Sequence, residues 1–449
     1  MLEEFNNNIK GKKVAILGLG VSNKPLVKYL YDLSCDIDIY NEKELEYDNP
    51  YNLNIYTGKG CMDNLEGYDY IFRSPSILPT RSSLIKAKES GTIITSEIEE
   101  VIKLTTSKVI GVTGSDGKTT TTTLINEVLK KCGYKTFLGG NIGYPLFTSI
   151  KDMKKEDIVV LELSSFQLMG MEVSPDISII TNISENHLDI HKDFNEYITS
   201  KQNIYKYQDK TGILVVNSDN DITNKFITNG ITRHFSGHKK ITDGFYTLED
   251  TIYDKEGNIF LQKEDIKLRG HHNYENIAAM LTAISDLVDI NKAKEVIKSF
   301  GGVEHRLELV RTINGIKWYN DSVSSSPTRT IAGLYSYDEN IVLIAGGYDK
   351  NISYEPIAKP IVEKVRVLIL IGNTTDKIYN AVSNELKKEG RDMPIYKCNS
   401  LKEAVDTAYK HSTHGDIVLF SPASASFDMF KNFADRGIKF KDLVNNLPE

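Results

Sequence analysis

Within the seven residues Gly114-Ser115-Asp116-Gly117-Lys118-Thr119-Thr120 the chain places two glycines, a lysine and three hydroxyls. A glycine-bearing turn that runs into a helix can hold phosphate oxygens on its backbone N–H groups and on the helix N-terminus. Lys118 can then set a positive charge against the β- and γ-phosphates, and Thr119 can offer its hydroxyl to Mg2+. Val112 stands where the usual spacing has its first glycine. The setting supplies what the spacing lacks: an apolar strand from Lys108 to Val112 before the turn, and the helical run Thr123-Leu124-Ile125-Asn126-Glu127-Val128-Leu129 after it. The chemistry this pattern supports is the binding of a nucleoside triphosphate.

Four further groups could act beside it. Glu162 closes the apolar run Ile158-Val159-Val160-Leu161 and opens Leu163-Ser164-Ser165-Phe166-Gln167, so a carboxylate at a strand end can take Mg2+ directly or through water. Thr181-Asn182 begins a second run after a strand, ending in His187-Leu188-Asp189; a lone His there is more often a hydrogen-bonded structural residue than a ligand. Lys201 follows within the helical segment Glu196 to Tyr207, where a single lysine is ordinarily a solvated charge. Gly18-Leu19-Gly20-Val21-Ser22 opens like a dinucleotide fingerprint but carries Asn23 at the third glycine position. It fits a nicotinamide cofactor, the diphosphate of a UDP-sugar, or a tight turn with no ligand.

The elements that must position these groups alternate between strand-like and helical runs, the pattern of α/β layers with mostly parallel sheets. A chain of 449 residues exceeds one hydrophobic core. Three α/β domains are expected: residues 1–100, a Rossmann-like domain holding Val14-Ala15-Ile16-Leu17 and the Gly18 loop; residues 101–300, a central P-loop ATPase-like domain; and residues 301–449, a second Rossmann-like domain. Short linkers are expected near 97–105 and 299–303, and short alternating runs from about 230 to 269 predict a small antiparallel accessory sheet. A net charge of −7 without Lys/Arg-rich runs leaves no footprint for nucleic acid. The four cysteines lack a C-x-x-C pair, which argues against a zinc site or a disulfide framework. The N-terminus lacks the apolar segment of a signal peptide, and no apolar run approaches the ~20 residues of a membrane span. A cytoplasmic monomer is expected.

Taken in order, the phosphate loop, Glu-x-Ser-Ser-x-Gln, Thr-Asn-x-x-x-x-His-x-Asp, Lys201, His272-Asn273-x-x-Asn276 and Asp321-Ser322 resemble the Mur ligase family, ATP-dependent amide-forming enzymes of peptidoglycan assembly. The resemblance spans residues 18 to 433. The run Ser421 to Phe433 is most similar to the branch that adds D-glutamate to UDP-N-acetylmuramoyl-L-alanine. It implies that Gly114 to Thr120 cradle ATP, that Thr119 and Glu162 hold one Mg2+, and that His187 and a carbamylated Lys201 address a second. Asn273 and Asn276 would read adenine, Arg306 would neutralise the transferring γ-phosphate, and Asp321 would grip the ribose. Gly18, Gly20, Val21, Ser22 and Asn41 would hold the uridine diphosphate, and Asn141, Ser164 and Gln167 the muramoyl part. Lys350, Ser325, Ser426, Phe427 and Phe433 would form the D-glutamate pocket.

Two positions depart from the family. Val323 stands where lysine is frequent, and Asn41 where Asp is common. Lys350 therefore becomes the leading cation for the amino-acid side chain. A nicotinamide-dependent oxidoreductase would leave Lys118-Thr119 unexplained, and a regulator that had lost catalysis would not need Lys201 and His187.

Overall fold

The computed structural model describes residues 1–45, 47–185, 190–268, 270–350 and 352–449. The chain forms two compact units, one made of Met1–Asp265 with His272–Lys298, the other of Ile266–His271 with Ser299–Glu449. Among the described residues the named strands form four sheets.

The first sheet has five parallel strands in the order Asn54–Thr57, Asp36–Asn41, Lys13–Leu17, Tyr70–Arg73 and Ile93–Thr95. Val14 to Leu17 are buried without interruption, as a strand covered on both faces requires. The order runs outward in both directions from Lys13–Leu17. The Gly18 loop therefore opens at the switch point, where α/β sheets bind ligands outside their carboxyl edge.

The segment expected as a linker near 97–105 is a packed helix, Glu97–Leu104, capped by the Ser96 side chain. Its Ile98, Val101, Ile102 and Leu104 join the same core as the strands on either side of it. Glu97 accepts from the backbone N–H groups of Leu146 and Phe147 at 2.7 and 2.9 Å, so the join to the next sheet is held by polar bonds as well.

The second sheet has six parallel strands: Ile231–Phe235, Ile213–Asn217, Ile177–Ile180, Lys108–Thr113, Ile158–Glu162 and Thr136–Gly140. The strand that feeds the phosphate loop lies between the one ending at Glu162 and the one ending at Ile180. All three loops thus leave the same edge side by side. Ile231–Phe235 corrects the expectation for 230–269: it extends this parallel sheet, and only Tyr246–Leu248, Thr251–Tyr253 and Ile259–Leu261 form the antiparallel accessory sheet.

The second unit carries the fourth sheet, in the order Glu308–Ile313, Ile316–Asn320, Ile417–Phe420, Ile341–Ala345, Val365–Ile371 and Ile395–Cys398. Its first pair is an antiparallel hairpin and the remaining pairings are parallel. Asn314 and Gly315 both have positive φ, 50° and 77°, as a tight two-residue hairpin turn demands. No helix among the described residues is long and apolar enough to cross a membrane.

Candidate active site

The loop after Lys108–Thr113 is closed by its neighbours. Ser115 N–H donates to the Asn182 carbonyl at 2.9 Å, and Asp116 N–H to Asn182 Oδ1 at 2.9 Å. Thr181 Oγ1 donates to the Asp116 carbonyl at 2.5 Å. Glycine is required at two points by both conformation and space. Gly114 has φ 150° and a Cβ there would sit 1.9 Å from Thr181 Oγ1; Gly117 has φ 80° and a Cβ would sit 2.2 Å from Asn276 Oδ1. Asn276 thus abuts the phosphate loop, with Asn273 one turn earlier on helix His271–Ile284 accepting from its amide at 3.3 Å. Lys118 Nζ donates to the Gly114 and Ser115 carbonyls at 2.8 and 2.9 Å, folding over the turn it follows. Thr119 lies on the partly exposed first turn of helix Lys118–Lys131, and Thr120 is buried beside it.

Lys201 is not a surface charge. It is 1% exposed, and its amine donates to the Gly114 carbonyl at 2.9 Å and to Thr113 Oγ1 at 3.2 Å. Burial, and then the Lys118 charge, pull its pKa well below the usual lysine value. Tyr197, one turn earlier, was not singled out in the sequence. Its ring lies 4.8 Å from the amine, and its hydroxyl is 2.9 Å from Ser115 Oγ. The four-residue spacing to Lys201 on one helix face was the available signal.

Glu162 is 1% exposed; one carboxylate oxygen accepts from Asn141 Nδ2 at 2.8 Å. The other, Oε2, is buried with no hydrogen-bond partner among the described residues. A carboxylate oxygen left bare at the carboxyl edge, within the same group of loops as Thr119, fits a hard divalent cation. Ser164 and Gln167 form a capping box for the short helix Ser165–Leu168, so both side chains are fixed at its N-terminus. His187 lies outside the described residues.

At the first sheet, Gly18 N–H donates to the Tyr40 carbonyl at 2.8 Å, and a Cβ on Gly18 would lie 2.4 Å from Ser74 Oγ. Asn23 explains its departure from glycine: its buried amide donates to the Gly18 carbonyl at 2.9 Å and holds the loop. Gly20 and Val21 are exposed, Ser22 is half-buried, and Asn41 Nδ2 donates to the Lys43 carbonyl at 2.7 Å.

In the second unit Arg306 sits between His305 and Leu307, whose φ values of 64° and 44° put two non-glycine residues in the left-handed region. Strain of this kind is commonly kept at functional positions. Asp321 is buried, accepting from Ser421 Oγ at 2.6 Å and from Leu307 N–H at 3.3 Å; burial pushes its pKa up to about 6 against the pull of Ser324, Ser421 and Arg306. Ser325, Lys350 and Ser426 lie on loops leaving three adjacent strands of the fourth sheet. The Tyr348 N–H donates to the Ala425 carbonyl at 2.9 Å, and Ser322 Oγ to that of Phe433 at 2.8 Å, which joins these loops. Lys350, Phe427 and Phe433 are exposed there, and Ser426 is buried. Arg436, fully buried, ties the group by donating to the carbonyls of Ser322, Ser424 and Ala425.

Comparison with known proteins adds a family likeness to this geometry. The Mur ligase middle domain matches residues 112–284, and the Mur ligase glutamate ligase domain matches residues 305–424. A UDP-N-acetylmuramoylalanine–D-glutamate ligase of Clostridium botulinum is 48% identical over 99% of both chains, and one of Acetivibrio thermocellus is 47% identical over 99% of both. Among solved structures, MurF from Acinetobacter baumannii has the same fold at a TM-score of 0.62 and 13% identity, covering 99% of this chain and 98% of that one.

Proposed function

The chain belongs to the Mur ligase family, and from that premise we propose that it joins D-glutamate to UDP-N-acetylmuramoyl-L-alanine while converting ATP to ADP and phosphate. The observation that carries this reading is the convergence of the phosphate loop, Glu162, Thr181-Asn182 and Lys201 on one carboxyl edge of the central sheet. The relatives' shared name supports the choice of amino acid.

In this reading the alanine carboxylate attacks the γ-phosphate, forming a P–O bond to carbon-bound oxygen as the bond to ADP breaks. The loop N–H groups, Lys118 and Arg306 hold the oxygens that gain charge. The amine of D-glutamate then attacks the acyl carbonyl; it loses a proton and phosphate leaves, completing the amide. Asn273 and Asn276 recognise adenine, and Asp321 the ribose. The Gly18 loop with Gly20, Val21, Ser22 and Asn41 receives uridine diphosphate, and Asn141, Ser164 and Gln167 the muramoyl group. Lys350, Ser325, Ser426, Phe427 and Phe433 receive D-glutamate.

Thr119, Glu162, His187 and Lys201 are the residues that would hold two Mg2+ ions, which supply positive charge at the phosphates and the acceptor carboxylate when bound. The bare Oε2 of Glu162 supports that role. The buried, easily deprotonated Lys201 amine supports reaction with CO2 to a carbamate, since Mg2+ takes oxygen and rejects ammonium. The reading includes three functional blocks, residues 1–100, 101–300 and 301–449, the outer two Rossmann-like, in a cytoplasmic monomer.

A phosphate-release assay tests the reaction class. Release should require ATP, the UDP-muramoyl substrate and D-glutamate together. Release of equal rate with ATP alone would remove the ligase assignment.

A further inference from the structure

Arg73 ends the strand Tyr70–Arg73 of the first sheet, yet its guanidinium bonds outside that sheet. It is 5% exposed and donates to the carbonyls of Ile77 at 3.2 Å, Phe166 at 3.5 Å and Met169. Phe166 lies in the helix Ser165–Leu168 and Met169 is its C-terminal cap. A helix end leaves such carbonyls without partners, and the fixed fork of a guanidinium can satisfy several at once. Burial lowers the Arg73 pKa to about 10, with the Glu99 carboxylate opposing the shift. The contact extends beyond the guanidinium. Gly170 has φ 78°, and a Cβ there would lie 3.1 Å from two carbons of Pro79, so the loop after Arg73 packs on the turn after Leu168.

Each side of this contact adjoins a different part of the candidate site. Ser74, next in sequence to Arg73, donates its N–H to the Leu17 carbonyl at 2.8 Å, and its hydroxyl occupies the space a Cβ on Gly18 would need. On the other side, the helix whose far end Arg73 holds is opened by Ser164 and Gln167. We propose that Arg73 is a positioning residue that fixes the separation between the uridine diphosphate loop and the muramoyl-binding turn, so that one substrate engages both. The proposal rests on the assignment of those two loops to a UDP-linked substrate. A ligand that spans two subsites gains its second contact at an effective concentration set by their spacing, and loosening that spacing weakens the whole ligand without weakening either end alone.

The test is calorimetric binding of two probes, UDP-N-acetylmuramoyl-L-alanine and UDP alone, to the full chain in the wild type, Arg73→Met, Arg73→Lys and Gly170→Ala, with melting temperatures measured alongside. Arg73→Met should weaken the spanning ligand at least about tenfold and leave UDP within about twofold. Arg73→Lys, which keeps the charge but loses the fork, should fall between. Gly170→Ala leaves Arg73 in place, presses on Pro79 and should shift the two affinities in the same sense as Arg73→Met. Equal weakening of both probes in Arg73→Met and Gly170→Ala, or of neither, would overturn the proposal. A wild type that binds UDP but not the muramoyl ligand would overturn the functional reading as well.

Discussion

At the scale of single residues, the state of the Lys201 amine decides what that side chain can do. Burial, with a second lysine close by, disfavours an ammonium ion there, and a neutral amine is a nucleophile toward CO2. Lys201→Ala should therefore be nearly inactive and regain part of its turnover when formate or acetate is added to fill the vacated space. Full activity without added carboxylate would exclude the carbamate. Lys350 is exposed on a loop at the carboxyl edge of the fourth sheet, and Val323 supplies no charge of its own. A charge-assisted hydrogen bond is worth about 1.5–3 kcal/mol, so Lys350→Ala should raise KM for D-glutamate about tenfold and leave KM for ATP nearly unchanged. Equal rises for both substrates would remove Lys350 from side-chain recognition. Asp321 gives a pH signature. Its folded pKa of about 6 lies above the 3.8 of an unperturbed aspartate, so between those values the folded chain binds more protons than the unfolded one. Its contribution to stability is fully present below the unfolded value and is lost as pH rises through the folded one. Melting temperatures measured from pH 4 to 7 should show that Asp321→Asn removes this part of the pH dependence. Parallel profiles for the two proteins would contradict the raised value.

At the scale of elements, the phosphate loop works because three strand ends close around it. Gly117→Ala would place a methyl group against Asn276 and strain a left-handed backbone, so ATP affinity should fall at least about tenfold and the melting temperature should fall with it. Unaltered ATP binding would show that the close approach is not needed. The same elements mark what could be read beforehand. Gly114 to Thr120, Glu162 and Thr181-Asn182 were legible because short loops after apolar strands carry their chemistry locally. Ile231–Phe235 differs from the expectation because Thr232, Arg233 and His234 are polar, unlike the apolar runs of the other parallel strands in its sheet, and pairing direction is absent from local sequence. The hairpin at Asn314-Gly315 has a local cause, since Asn and Gly both accept the positive φ its turn requires. Arg73 gave no local signal, since its partner Met169 lies 96 residues away along the chain, and Tyr197 gave only its spacing to Lys201, its Ser115 partner lying 82 residues away.

At the scale of the whole molecule, ATP, the UDP-linked substrate and D-glutamate are all anions, while the chain carries a net charge of −7. On the proposed function, recognition is local, through Lys118, Arg306, Lys350 and backbone N–H groups, and not through a general positive field. Nearly complete coverage of relatives at 47 to 48% identity fits one reaction served by the entire chain. The central claim is the identity of the amino acid added. Mass spectrometry of the product formed from UDP-N-acetylmuramoyl-L-alanine, ATP and an equimolar panel of D-glutamate, L-glutamate, L-alanine and a diamino acid tests it most directly. The account predicts a single product heavier by one glutamate residue, formed only when the D-isomer is present. A product carrying L-alanine or the diamino acid, or equal incorporation of both glutamate isomers, would contradict it.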